Sequence, residues 1–182
     1  MSLNRWYYFL SLEQDFLRTI DYVEFDNQNA NTFSNEYGKI LLLTGSEVDV
    51  VAKLVCGKFA SGQKAENIED YRKVITSTFK DFHTISLDIS RYNLSIQPWM
   101  SWGSVTPTSP NWWGAYNNVK HNRESKFSEA NQAHTVHALC GLFGLLLYLF
   151  KDEKHPQPYP KFFDHGFPEY IVTRGGRKLP GT

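Results

Sequence analysis

Apolar side chains recur at helical spacing along most of this chain. Trp6, Phe9, Leu10, Phe16, Leu17, Ile20 and Val23 follow at three- and four-residue steps, which puts them on one face of a helix ending near Glu24. Glu13 falls inside that stripe. After the polar stretch Asp26 to Thr32, Ser34 is placed to cap a second long helix, with Tyr37, Ile40, Leu41, Val48, Val51 and Val55 inward and Gly57 as its C-terminal cap. Ser61 to Gln63 read as a turn, and Ile68, Tyr71, Ile75 and Phe79 mark a third helix. The period then falls to two. Ile85, Leu87 and Ile89, then Tyr92, Leu94 and Ile96, alternate on either side of Ser90 and Arg91, which predicts a small hairpin or extended insertion.

Ser104 to Pro110 form a loop that ends in a helix-start signal, with Ser109 as cap and Pro110 as first residue of a fourth helix over WWGAYNNVKHNR. Ser128 is placed to cap a fifth, running to about Phe150. The expected fold is therefore all-α: an up-and-down bundle of about five helices with a small β or extended insertion between the third and fourth. Residues 1–155 form the bundle domain. Residues 156–182 form a Pro/Gly-rich extension packed on it through Phe162, Phe163 and Tyr170, with the end GGRKLPGT expected to be disordered.

The longest apolar run, Ala138 to Phe150, falls short of the roughly 20 residues of a membrane span and is followed by Lys151, Asp152 and Glu153, so it reads as the central helix of a soluble bundle. Of the 182 residues, 41% are hydrophobic, enough for one core, and 19 basic side chains balance 19 acidic ones. Balanced charge predicts no general attraction to nucleic acid or anionic membranes, so any such affinity must come from a local patch. Two cysteines in apolar segments, and a start without a charged leader and cleavage site, lead us to expect a cytoplasmic protein with no membrane association.

The candidate chemistry lies on the fourth helix. At about 100° per residue, Trp113, Asn117, Lys120, His121 and Glu124 fall along one side, with Tyr116 and Arg123 at its margins. An imidazole that titrates near neutrality, beside an ammonium and a carboxamide, can move a proton while stabilising charge on a phosphate. The same strip could equally face solvent or stitch helices together. His134 and His137, one turn apart, could share a metal or pack at a helix interface, and no cysteine pair or HExxH accompanies them, so no metal or other cofactor is expected. Trp99, Trp102, Trp112 and Trp113 could form a base-stacking platform or fill a core. GSE and SGQ are ordinary turns, which leaves no phosphate-binding loop.

The stretch YNNVKHNR, followed by FSEANQAH and an apolar helix, resembles the second half of a HEPN domain, and the order of long helices is similar over residues 5 to 150. The family pattern runs arginine, a polar residue, a few variable residues, histidine. Asn117 and His121 match its polar and histidine positions, whereas Tyr116 stands where the family has arginine. The resemblance implies a prokaryotic RNA-directed module of defence or toxin type. Asn117, Lys120, His121 and an acidic residue of the second helix, Glu47, would serve catalysis, and Trp113, Tyr116 and Arg123 would bind substrate. Without the arginine, metal-independent ribonuclease activity is expected to be weak or lost. The alternative is a non-catalytic interaction domain whose strip meets a protein partner, a nucleotide or a second copy, and a homodimer is implied under either view. Glu47 and Glu13 both sit at apolar positions, where a carboxylate needs a partner; for Glu47, Lys120 or His121 would serve.

Overall fold

Six α-helices and one two-stranded antiparallel sheet make up the regular structure of residues 2–153, 156–164 and 179–182, which the computed structural model describes. In chain order they are α1 (Asn4–Ile20), α2 (Asn35–Phe59), α3 (Ile68–Thr78), β1 (Leu87–Ile89), β2 (Leu94–Ile96), α4 (Asn111–His121), α5 (Arg123–Lys126) and α6 (Gln132–Phe150). The chain is thus mainly helical with a small β insertion, and the helices number six rather than five. Asn122 leaves helical backbone (φ −130°, ψ 37°) and splits the expected fourth helix into α4 and the single turn of α5.

Local signals explain several boundaries. Ser34 Oγ accepts the Tyr37 N–H at 3.1 Å and starts α2, and Asn67 caps α3 through the N–H groups of Glu69 and Asp70. Others fall elsewhere than the sequence suggests. Gly57 lies inside α2, which runs on to Phe59. No side chain caps α4, so Ser109 does not fill that role. Residues Phe127–Glu129 make a 3-10 turn, and Asn131, not Ser128, caps α6 by accepting the His134 N–H at 2.9 Å. Helix α1 stops at Ile20, short of Glu24, and the chain turns so that Phe25 meets Phe16 edge-on at 6.0 Å.

Helix α6 is the axis of the core. From Ala138 to Phe150 every residue is buried, and α2 packs along its length. Its length and apolarity would suit a membrane crossing, yet 83% of its most apolar window is buried inside the protein. A helix apolar on all sides needs cover on all sides, and here its neighbours supply it. The four clustered tryptophans belong to this core. Trp99, Trp102, Trp112 and Trp113 are all under a tenth exposed; Trp99 Nε1 donates to the Gly141 carbonyl at 3.2 Å and Trp112 Nε1 to the Pro98 carbonyl at 2.9 Å. They form no open stacking platform.

The period-two segment is a hairpin, with Leu87 opposite Ile96 and Ile89 opposite Leu94. Its connection is a 3-10 turn over Ser90–Tyr92, closed by Asn93 in the left-handed region (φ 47°), which asparagine tolerates.

Residues 158–164 strap α1 to the hairpin. Trp6 Nε1 donates to the Pro158 carbonyl at 2.8 Å, Phe162 packs edge-on against Phe16 and Phe25, and Phe163 lies against Phe9 and Phe143. The Asp164 carboxylate accepts the Ser90 N–H at 2.8 Å and the Ser90 hydroxyl. Residues 179–182 are packed rather than disordered: Leu179 is buried and Tyr148 donates its hydroxyl to the Pro180 carbonyl at 2.7 Å. Tyr170 and residues 175–178 lie outside the described residues.

Candidate functional site

Helix α4 buries Trp112, Ala115 and Val119, one of the faces that its 3.6-residue period allows, and contacts both α6 and α2. The seam with α2 is close. A Cβ on Gly45 would lie 2.3 Å from the Tyr116 ring, so the tyrosine reaches its place because position 45 carries no side chain. Tyr116 is 5% exposed and Trp113 8%, with their ring centroids 5.0 Å apart. Both were expected to bind substrate; instead their rings fill the space between helices and present little surface.

Lys120 continues this column. Its Nζ lies 5.5 Å from the Tyr116 ring centroid and 3.4 Å from the Tyr116 hydroxyl. Asn117, expected beside it as a catalytic amide, donates from Nδ2 to the Trp113 carbonyl at 3.0 Å within its own helix, while Asn118 donates to Glu129 at 2.9 Å. His121 is exposed in the last turn of α4 and makes no hydrogen bond or ion pair among the described residues. Beyond it the helical wheel ceases to apply, because Asn122 redirects the chain. Arg123 lies in α5, with its guanidinium 4.9 Å from the Phe127 ring centroid, and Glu124 belongs to α5 as well.

The acidic member of the expected site has a different partner. Arg5 Nη1 donates to both oxygens of Glu47, at 2.9 and 3.1 Å, and Glu47 is 4% exposed. Burial pushes the Glu47 carboxyl above its usual range, and the Arg5 charge and hydrogen bonds pull it back in part. No hydrogen bond or ion pair joins Glu47 to Lys120 or His121 among the described residues. Arg5 was missed in the sequence, although the signal was present: positions 5, 9, 12 and 16 share one helical face, and Phe9, Leu12 and Phe16 on it are fully buried. Asp49, the other acidic residue in that stretch, accepts the Tyr71 hydroxyl and the Lys53 ammonium, each at 2.7 Å.

Glu13 likewise has a partner that the sequence conceals. Its Oε1 accepts the backbone N–H groups of Lys161 (3.0 Å), Phe162 (2.8 Å) and Phe163 (3.4 Å), and Oε2 shares the first at 3.0 Å. Burial still holds its carboxyl above the usual range, against the pull of those N–H groups and of Lys161. The two histidines of α6 are not paired on one ligand. His134 Nδ1 bonds the Glu129 carbonyl at 2.9 Å, and burial with the nearby His134 holds the His137 imidazole below its usual range. Among the described residues no group of three or more His, Cys, Asp or Glu side chains is arranged to hold a metal ion.

Comparison of the chain with family models, curated proteins and solved structures finds no match.

Proposed function

We propose that this chain is an RNA-directed module of the prokaryotic defence or toxin type, in line with its HEPN resemblance, with ribonuclease activity that is weak or lost. The observation that carries the reading is the exposed junction of α4 and α5. Lys120 and His121 in the last turn of one helix, and Arg123 and Lys126 in the next, present three cations and an imidazole to solvent within seven residues. The charges of the chain cancel only overall, and this stretch, with Glu124 its one acidic side chain and Lys126 also 3.5 Å from Glu129, is the kind of local patch that holds phosphates. Weak or absent cleavage follows from Tyr116. Where the family has a guanidinium there is a phenol buried under Gly45, and the neighbouring ammonium of Lys120 grips phosphate oxygens less rigidly than a guanidinium fork.

The test uses a fluorescent single-stranded RNA in EDTA, read by anisotropy for binding and by gel for cleavage. Wild type is expected to bind and to leave the RNA essentially uncut. Lys120→Ala with Arg123→Ala should weaken binding and lower the salt slope by about 0.7 for each phosphate no longer neutralised. Unchanged binding in that variant would overturn the reading and favour the second one, a non-catalytic interaction domain. The second reading draws support from Asn117, whose amide is engaged within its own helix rather than offered outward. A homodimer rests on the resemblance alone, and Trp99, Trp102, Trp112 and Trp113, being internal, offer no aromatic surface for it.

A further inference from the structure

A cleft of about 630 Å³ opens between the chain after α1, the strand β2 and the first turns of α6, and it shares no residue with the α4–α5 junction. Its volume lies in the range of small-molecule sites. Part of the lining is apolar: Phe25 and Tyr92 meet edge-on at 4.8 Å, so their faces are nearly perpendicular, and Met100 is 63% exposed. The lining also carries hydrogen-bonding residues, Asn27 and Gln97 with their carboxamides and His137 with its imidazole.

The lining narrows the ligand. Among the described residues no lysine or arginine lines the cleft, although the Arg91 guanidinium lies 5.3 Å from the Tyr92 ring centroid, and Asp26 does line it, which disfavours a phosphate or carboxylate. The carboxamides would lie unpaired against a purely aliphatic guest. Some of the polar lining is already engaged. Gln132 Nε2 donates to the Glu24 carbonyl and the Tyr37 hydroxyl, each at 3.1 Å, and Ser95 donates to Asp88 at 2.6 Å. No hydrogen bond of Asn27's carboxamide to another described residue competes, and Gln97 makes a long one, 3.4 Å, to the Thr84 carbonyl. The Tyr92 hydroxyl is buried at this wall without a hydrogen bond of ordinary geometry among the described residues, which is unusual for a phenol. Burial holds that phenol above its usual range; the Arg91 charge pulls it back in part and the Glu24 carboxylate adds to the rise. Burial, with the nearby His134, holds the His137 imidazole below its usual range, which favours the neutral ring with one donor and one acceptor.

We propose that this cleft binds an uncharged planar heterocycle of the nucleobase class, with its face against one ring, Phe25 or Tyr92, and the Met100 thioether, and its edge met by Asn27, Gln97 and His137. Aromatic and thioether surfaces accept the face of any base. Carboxamides present a donor and an acceptor side by side, the pattern that reads base edges. The guest is either a free nucleoside or an unpaired base of an RNA strand.

Titration of the full chain with adenosine, guanosine, cytidine and uridine, and with their 5′-monophosphates, by isothermal calorimetry tests this. At least one nucleoside should bind, its monophosphate no more tightly. Gln97→Ala with Met100→Ala, both at exposed positions, should weaken that binding at least tenfold while leaving the urea midpoint unchanged. The proposal is overturned if no nucleoside binds at millimolar concentration, if a monophosphate binds more than tenfold tighter than its nucleoside, or if the double variant binds as wild type does. A short single-stranded RNA added in competition assigns the source: displacement of the nucleoside points to an unpaired RNA base, and persistence of the nucleoside to a free ligand.

Discussion

The carboxylate of Glu13 is the pin of the C-terminal strap, and its removal has a calculable consequence. In Glu13→Ala the N–H groups of Lys161, Phe162 and Phe163 lose their acceptor; the last two are buried. A buried donor left unpaired costs about 1–3 kcal/mol, and the 3.4 Å bond of Phe163 counts for less than the others. Keeping the strap in place therefore costs about 2–5 kcal/mol. Releasing it instead rehydrates the N–H groups but uncovers Phe162 and Phe163, each worth about 1.5–3 kcal/mol of burial. The two routes are comparable, so we expect a loss of about 2–5 kcal/mol in urea unfolding, together with faster tryptic cleavage after Lys161. Glu13→Gln keeps an acceptor at the same place and should lose less than about 1.5 kcal/mol. The sign of the pH dependence is fixed as well. Because the folded carboxyl sits above the 4.5 of a free glutamate, the native state holds its proton more tightly. That contribution to stability is fully present below 4.5 and is lost as pH rises through the higher folded value. Wild type should therefore lose stability relative to Glu13→Gln over that interval. A Glu13→Ala variant within 0.5 kcal/mol of wild type (~0.5 being the ordinary surface effect), with unchanged tryptic resistance, would refute this account of the strap.

Gly45→Ala should destabilise by about 1–3 kcal/mol in urea unfolding, since its Cβ would meet the Tyr116 ring at 2.3 Å, and should displace Lys120 with it. Tyr116→Arg, which the family pattern suggests as a way to restore cleavage, should unfold more readily than wild type and gain no ribonuclease activity in EDTA, because the guanidinium would have to enter a site 5% exposed. Arg5→Ala should cost more than Glu47→Gln by about 1–2 kcal/mol, since it strands a buried carboxylate, an effect moderated by the 42% exposure of the arginine; a double-mutant cycle measures the difference. Light scattering at high protein concentration tests the homodimer, which requires twice the 21.1 kDa of the chain.

What could be read along the chain and what could not divide on physical lines. The inward faces of α2 and α3, the apolar axis α6 and the hairpin depend on short-range periodicity, and Val48, Val51, Tyr71, Leu87 and Ile96 are buried as that periodicity requires. The end of α4 depends on Asn122, a single residue whose departure from the helix no wheel anticipates. That departure matters for the proposed site, because it removes Arg123 and Glu124 from the strip and leaves Lys120 and His121 in the last turn of α4. Periodicity also tells that Glu13 and Glu47 are carboxylates in apolar stripes, and physics demands partners for both, but not which ones. Glu47 took Arg5, 42 positions away, and Glu13 took backbone N–H groups about 150 positions away, which carry no side-chain signature at all. A buried charge thus announces that a long-range contact exists without naming its partner. For the same reason the cleft beside α6 was invisible in the sequence: Asn27, Tyr92, Gln97 and His137 are ordinary residues in separate segments, and only their convergence around one volume gives them a role.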